Sequence, residues 1–222
     1  MKSCELRLSG TRLLAFGSGA LFWPGQSLLC VSDLHLGKSE RIARRGGAQL
    51  PPYEIRDTLT RLEAAIDATR PAQVLCLGDS FDDAAAVAAL EPEAVSWLTR
   101  LQAGRRWWWI EGNHDPGPIG LGGSHLAELT LGPLTFRHIA RSGARAEVSG
   151  HYHPKATLAG RGQRQTRPCF LIDSDRLILP AFGTYTGGLR SRDPALSTLM
   201  GADALAVLTG PMPRIIPMPR GG

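Results

Sequence analysis

The chain has 222 residues, of which 43% are hydrophobic and 20% are charged, and its formal net charge is +5. This balance excludes a disordered chain, and no apolar run reaches the ~18 residues that a membrane-spanning helix needs. The length predicts a single domain over residues 1–222, with a flexible tail from about residue 211. The first residues lack the apolar stretch of a secretory signal and the cysteines form no Cys-x-x-Cys pair, so we expect a cytoplasmic protein.

Strands and helices are predicted to alternate in the first half of the chain. Apolar runs over residues 27–31, 73–77 and 107–111 predict strands that end in polar residues. Residues 53–69 and 91–102 have apolar positions at helical spacing, so they predict helices. This order indicates a parallel sheet covered by helices, and the ligands of such sheets lie beyond the carboxyl ends of the strands.

The second half of the chain predicts shorter strands, at residues 134–138, 146–149, 156–159, 169–173, 176–179 and 204–208. The turn at Asp173-Ser174-Asp175 indicates a hairpin between two of them. A second, mostly antiparallel sheet stacked on the first gives a four-layer α/β/β/α sandwich. The predicted fold class is therefore α/β, with two stacked sheets flanked by helices.

Five short polar motifs contain five of the six histidines of the chain. They are Asp33-x-His35, Gly78-Asp79, Gly112-Asn113-His114-Asp115, the single His138, and Gly150-His151-x-His153. Mixed oxygen and nitrogen donors suit manganese, iron or zinc, whereas calcium prefers oxygen alone. An aspartate that bridges two such cations neutralises both, so that they can lie ~3.5–4 Å apart. Strand alternation would point His151 and His153 to opposite faces, so we expect a loop that turns both rings inwards.

These five motifs, in this order, resemble those of the calcineurin-like metallophosphoesterase superfamily. Within it, the chain is similar to the bacterial phosphoesterases that are associated with DNA ligase in a DNA damage response and proposed to act as endonucleases. The closer similarity rests on the segments at residues 21–24, 33–38, 150–154, 168–170 and 179–188. The chain departs from this subgroup at Phe81-Asp82-Asp83, where a histidine is common after the Gly-Asp motif.

The resemblance implies a metallophosphoesterase fold of two mixed sheets and two divalent metal ions, with manganese expected and iron or zinc as alternatives. One ion is expected to bind Asp33, His35, His153 and the bridging Asp79, and the other to bind Asp79, Asn113, His138 and His151. A hydroxide bridging both ions is expected to attack phosphorus in line. We expect His114 to act as the general acid, with Asp115 as its orienting carboxylate.

The charges near the motifs bear on the substrate. Asp83 stands where related protein phosphatases carry an arginine that grips a phosphomonoester, so a phosphodiester is favoured. The net positive charge favours polyanions, although an arginine-rich genome gives the same excess. The predicted loop over residues 37–52 carries four cations: Lys38, Arg41, Arg44 and Arg45. As a hypothesis, this loop guides a DNA strand to the metals, and a solvated charged loop is the alternative.

The predicted function is therefore phosphodiester hydrolysis, as a DNA endonuclease or end-processing enzyme in DNA repair that associates with the DNA ligase machinery. One alternative is a phosphodiesterase or pyrophosphatase that acts on a small nucleotide or a nucleotide-linked lipid. An alternative of another class is a non-catalytic binding module that recruits repair partners. Loss of a metal ligand would mark such a module, and the sequence retains all of them. No membrane association is expected, and the sequence leaves the oligomeric state open.

Overall fold

The computed structural model describes residues 1–47, 50–51, 53–115, 117, 120–160 and 163–220. Within them, the strands form two sheets, one of seven strands and one of eight. No helix in this part of the chain is long and apolar enough to span a bilayer.

The strands of the first sheet are hydrogen-bonded in the order in which they occur along the chain. They are β1 (Ser3–Leu8), β2 (Thr11–Phe16), β3 (Leu21–Trp23), β4 (Leu28–Val31), β5 (Gln73–Leu77), β6 (Arg106–Ile110) and β7 (Ser124–Leu126). Strands β1 to β4 pair antiparallel, whereas β4 to β7 pair parallel. The three predicted parallel strands are confirmed as β4, β5 and β6, with ends that differ by at most one residue.

Two long helices, α2 (Glu54–Thr69) and α4 (Pro92–Gln102), cover the outer face of the first sheet. The apolar stripe of α2 buries Leu59, Leu62 and Ile66 in this layer, as an amphipathic surface helix does. Both helices were predicted from their spacing, and each begins one residue later than expected. The shorter helices are α1 (Lys38–Arg44), α3 (Ala84–Ala88) and α5 (Pro194–Leu199).

The second sheet has the strand order β15-β14-β12-β13-β10-β9-β8, with β11 paired to β12. Its strands are β8 (Glu128–Leu131), β9 (Leu134–Arg137), β10 (Glu147–Ser149), β11 (Lys155–Gly160), β12 (Gln163–Ile172), β13 (Arg176–Ile178), β14 (Leu205–Leu208) and β15 (Arg214–Pro217). Strand β10 pairs parallel with β9 and β13, and the other pairs are antiparallel. The sheet is therefore mixed but mostly antiparallel, as predicted.

Alternation along the strands separates the core between the sheets from the core under the helices. Leu28 of β4 faces the second sheet, whereas Leu29 faces the helices. The tryptophans of β6 follow the same rule, because Trp108 lies between the sheets while Trp107 and Trp109 pack under the helices. Helix α5 packs on the outer face of the second sheet. The four layers confirm the α/β/β/α sandwich.

Two local predictions are wrong. The segment over residues 37–52 is not a loop throughout, because α1 occupies Lys38–Arg44; its residues 48, 49 and 52 lie outside the described part of the chain. The tail expected from residue 211 contains strand β15 instead, since Arg214–Pro217 pairs with β14 and Met218 is buried. In both places, contacts made across the fold select a conformation that the local sequence does not indicate.

Candidate metal centre

Polar residues follow three neighbouring parallel strands of the first sheet. Asp33 comes two residues after β4, Asp79 comes two residues after β5, and Asn113 follows β6. The segments that follow β4 and β5 are hydrogen-bonded to each other. Asp33 N donates to Gly78 O at 3.2 Å, and His35 N donates to Asp79 O at 2.9 Å. The carboxyl edge of the sheet thus gathers the first three motifs, as predicted.

The second sheet supplies the remaining histidines from its own strand ends. His138 directly follows β9, and Gly150 directly follows the parallel strand β10. These two ends are joined, since Gly150 N donates to His138 O at 3.0 Å. His151 and His153 lie in the bend between β10 and β11. All five motifs therefore meet where the edges of the two sheets come together.

One group of side chains is centred on Asp33. Its Oδ1 lies 3.0 Å from His153 Nε2, and His153 Nε2 lies 3.4 Å from His35 Nε2. Donor atoms of these three residues all lie within 4.8 Å of one another. These are three of the four ligands that the resemblance implied for one ion, and the fourth is Asp79.

A second group contains Asp79, which also lies near His35 of the first group. Asp79 Oδ2 lies 3.9 Å from His35 Nε2 and 3.3 Å from His138 Nε2. His138 Nε2 in turn lies 3.3 Å from His151 Nδ1 and 3.0 Å from Asn113 Oδ1. Donor atoms of Asp79, His138 and His151 lie within 4.8 Å of one another. Asp79 therefore stands between the two groups, where a bridging carboxylate is expected.

The backbone of these residues is held in a conformation that side chains other than glycine rarely adopt. Five candidate ligands have positive φ angles, namely Asp33 (53°), His35 (45°), Asp79 (42°), His151 (69°) and His153 (45°). Each such residue costs about 1–3 kcal/mol, and such strain persists at functional sites. Positive φ at both histidines of the β10–β11 bend breaks strand alternation, so both rings turn inwards as predicted.

Glycine makes room for the rings. Gly78 has a φ of 75°, and a Cβ built on it would lie 2.7 Å from His138 Cβ and closer still to the imidazole. A Cβ on Gly150 would lie 2.6 Å from Asp33 Oδ2. The glycines of these motifs are therefore required by the close approach of ligand side chains.

The surroundings of the two candidate ligand aspartates keep these carboxylates ionised. Burial raises the pKa of Asp79, but a hydrogen bond and positive charge from His138 outweigh it and bring the pKa to about 2. Burial likewise raises the pKa of Asp33, and His153 and His138 lower it by more, so the net shift is downward. Metal binding requires deprotonated carboxylates, which this environment supplies.

The orientation of the imidazoles fits a metal centre. His35 Nδ1 donates to Asp82 Oδ1 at 2.8 Å, and His138 Nδ1 donates to Leu77 O at 3.2 Å. When each ring is neutral with its proton on Nδ1, as metal binding requires, its Nε2 lone pair points at the cluster. The Nε2 atoms of His35 and His153 lie 3.4 Å apart, so a cation at this position could bind both nitrogens. The donor set fits borderline divalent ions.

Asp82 is a functional residue that the sequence analysis did not assign. Its side chain is fully buried and accepts hydrogen bonds from His35 and Arg41, with Lys38 Nζ 3.5 Å away. Its backbone carbonyl accepts from His114 Nδ1 at 2.8 Å. Asp82 therefore positions both a candidate ligand and the candidate acid. The sequence feature that could have identified Asp82 is its position as a second aspartate three residues after Asp79.

The role expected for Asp115 is corrected. Its carboxylate accepts from Ser80 N at 2.8 Å, Phe81 N at 3.1 Å and Gly112 N at 3.2 Å. Asp115 thus ties two motif loops together, while His114 is oriented by the carbonyl of Asp82. Burial raises the pKa of Asp115 to about 7, with the negative charge of Asp79 adding to the effect.

The basic cluster beside the site is partly neutralised. Lys38 and Arg41 pair with the buried Asp82, and Arg44 pairs with Asp83 at 3.0 Å and with Glu40. Arg45 follows α1 and is exposed. Helix α1 therefore packs its charges against the segment after Gly78-Asp79.

The fold and the ligand geometry define a metal-dependent phosphoester hydrolase. The sequence model of the calcineurin-like phosphoesterase family matches residues 27–153, which include all seven candidate ligands, and the chain belongs to this family. Its members bind divalent metals.

Among solved structures, the nuclease MPE of Pseudomonas putida is similar over its full length. It is 27% identical, the match covers 96% of this chain and 100% of that chain, and the TM-score is 0.74. A conserved uncharacterized protein of Streptococcus pneumoniae TIGR4, described as a predicted phosphoesterase, is 13% identical with a TM-score of 0.32, over 86% of this chain and 96% of that chain. No protein with a curated function matches the chain significantly.

Proposed function

We propose that the chain is a two-metal phosphodiesterase that cleaves nucleic acid, as a DNA endonuclease or end-processing enzyme. One observation carries this proposal: Asp79 belongs to two ligand groups, contacting His35 on one side and His138 on the other. A carboxylate shared in this way suits two cations, and two cations clamp the attacking and leaving oxygens of a phosphoryl transfer. The nuclease activity named for the Pseudomonas putida relative supports nucleic acid as the substrate.

Two divalent cations bound here supply positive charge that lowers the pKa of a water and neutralises the phosphoryl oxygens. The residues of the chain hold and orient the reacting groups around them. In the proposal, Asp33, His35 and His153 hold one cation, and Asn113, His138 and His151 hold the other, with Asp79 shared.

His114 is proposed as the general acid. Its ring centroid lies 5.2 Å from that of His35, so it stands at the edge of the ligand cluster. Because its Nδ1 donates to Asp82 O, Nε2 is the ring nitrogen left to face the leaving oxygen, and it carries a proton there when the ring is doubly protonated.

The local charge supports a diester rather than a monoester. Asp83 occupies the segment after Gly78-Asp79 and pairs with Arg44, so this segment offers no unpaired cation to a dianionic phosphate. A diester carries one negative charge and needs less positive clamping. The proposed contacts for the nucleic-acid strand are Lys38, Arg41, Arg44 and Arg45. From the resemblance, we also propose a repair role beside DNA ligase. Manganese is proposed for both metal positions on the same ground.

A metal-dependence assay tests the proposed function. With manganese, the protein is expected to hydrolyse a chromogenic phosphodiester and single-stranded DNA, and a chelator is expected to abolish both activities. The variant Asp79→Asn is expected to lose both as well. A panel of duplex DNA, RNA, nucleotide monoesters and cyclic dinucleotides then separates a nuclease from an enzyme of small nucleotides. Absence of any manganese-dependent hydrolysis would leave only the binding module.

A further inference from the structure

A second polar feature of the molecule is a groove of about 360 Å³ on the β11–β12 hairpin. One face of the hairpin forms its floor, because alternate residues of each strand point to the same side. The segment over residues 190–192 and the chain at residues 219–220 form its walls. Five cations line it: Lys155, Arg164, Arg190, Arg192 and Arg220.

The positive charge of this groove is not compensated by acidic residues. None of its lining residues is acidic, and in the described part of the chain none of its five cations takes part in an ion pair within 4.0 Å. The nearest acidic residue in sequence, Asp193, is used elsewhere, since its side chain accepts from Ala195 N as the N-cap of α5. The groove therefore differs from the cluster on α1, whose lysine and two arginines are paired with carboxylates.

The groove is joined to the metal centre through the backbone. Lys155 lies two residues after His153, which is at most about 7 Å along an extended chain. Lys155 N donates to Leu189 O at 2.8 Å, and Ser191 N donates to Lys155 O at 2.8 Å. A Cβ on Gly188 would lie 2.8 Å from His153 Cβ. The segment that leads into the wall at residues 190–192 therefore packs directly on the β10–β11 bend.

We propose that this groove binds the sugar–phosphate backbone of the nucleic-acid strand whose scissile phosphate lies at the metal centre. The inference rests on the proposed function and extends it to a second surface. Exposed arginines with no carboxylate partner form ion pairs with phosphates and release condensed counterions. The hydroxyls of Thr157 and Thr166 lie 2.8 Å apart on the floor and add neutral hydrogen-bonding groups. Such contacts hold a strand in place without reading its sequence.

The salt dependence of nucleic-acid binding gives the size of the contribution that the groove cations make to affinity. Arg220 already donates to the carbonyls of Ser197, Met200 and Gly201. If the other four cations contact phosphates, they contribute about −2.8 to the slope of log K against log salt, at about −0.7 per contact for a single strand. Removal of two contacts lowers the magnitude of the slope by about 1.4. At 0.1 M salt this corresponds to about 25-fold weaker binding, because each contact is worth a factor of about 10^0.7.

The test compares two double variants that remove the same number of positive charges. Arg190→Gln with Arg192→Gln alters the groove, and Arg56→Gln with Arg145→Gln alters exposed arginines elsewhere. Binding of a fluorescent single-stranded oligonucleotide with a nuclease-resistant phosphorothioate backbone is measured by anisotropy on the manganese-loaded proteins at several salt concentrations. We expect the groove pair to show the 25-fold loss and the smaller slope, and the control pair to stay within about threefold of the unchanged protein.

Hydrolysis of a small chromogenic diester separates this inference from the proposed function. Both double variants are expected to retain the rate of the unchanged protein, because the diester does not reach the groove. If the unchanged protein does not hydrolyse the diester but the groove pair alone loses oligonucleotide binding, the proposed function fails and the groove stands only as a nucleic-acid-binding surface. Equal binding by the two double variants, or an unaltered salt slope in the groove pair, overturns the groove assignment.

Discussion

Replacement of Asp82 by asparagine tests whether this buried residue positions the metal centre. The change keeps the shape of the side chain and removes the charge that accepts from His35 Nδ1 at 2.8 Å. A carboxylate behind a ligand histidine makes Nε2 more basic, and loss of such a partner typically costs 10–100-fold in metal affinity. This is about 1.4–2.8 kcal/mol. The backbone carbonyl that accepts from His114 is unchanged by the substitution.

The assay is a calorimetric titration of the metal-free protein with manganese, followed by diester hydrolysis at rising manganese concentrations. We expect weaker manganese binding by Asp82→Asn and a hydrolysis rate that partly recovers when the metal is in excess. Asp83→Asn is the matched control, because Asp83 pairs with the exposed Arg44 and caps α3, a role that asparagine fills equally well. If Asp82→Asn binds manganese as tightly as Asp83→Asn does, the positioning role is refuted.

Three further changes have distinct expected outcomes. Gly78→Ala should displace His138 and abolish manganese binding in calorimetry, whereas Gly10→Ala, with a similar φ and no atom within 4 Å of the added Cβ, should retain it. His114→Ala should lower kcat about 10²–10⁴-fold for DNA but much less for a diester with an acidic phenol as leaving group. Glu147→Ala should lower the free energy of unfolding in urea by about 3–5 kcal/mol, because this fully buried carboxylate lies between two arginines. The more exposed Glu128→Ala should cost less than about 1 kcal/mol.

Each of these predictions has a contradicting result. Intact manganese binding by Gly78→Ala would mean that the ring of His138 is not held against this turn. Equal losses of kcat on both substrates would remove His114 from the acid role. A Glu147→Ala protein as stable as Glu128→Ala would show that the buried ion pairs contribute nothing to the folded state.

The positions of several candidate ligands were predictable from the sequence because they stand at the ends of predicted strands, whereas their assignment to two metal ions came from the family resemblance. Asp33 and Asp79 each come two residues after a predicted strand, and parallel strands place their carboxyl ends at one edge of the sheet. The inward turn of His151 and His153 was also predictable. A regular strand would point the two rings to opposite faces, so a shared site requires a break in the strand. The arrangement of these residues thus follows from strand geometry.

Other features depend on contacts between distant parts of the chain. Helix α1 begins after Gly37 without a side-chain cap, and its cations meet Asp82 more than 40 residues away. Strand β12 was predicted only from residue 169, because its first half pairs with β11 alone and carries polar residues rather than core residues. Strand β15 is an edge strand whose Ile215 is 46% exposed, so it has little of the alternation that marks a half-buried strand.

The most direct test of the account is the number and position of the metal ions. A crystal of the protein grown with manganese, measured at a wavelength where manganese scatters anomalously, locates each ion independently of the protein model. The account predicts two anomalous peaks about 3.5–4 Å apart with the Asp79 carboxylate between them. A single peak, or two peaks without Asp79 as a common ligand, would contradict it.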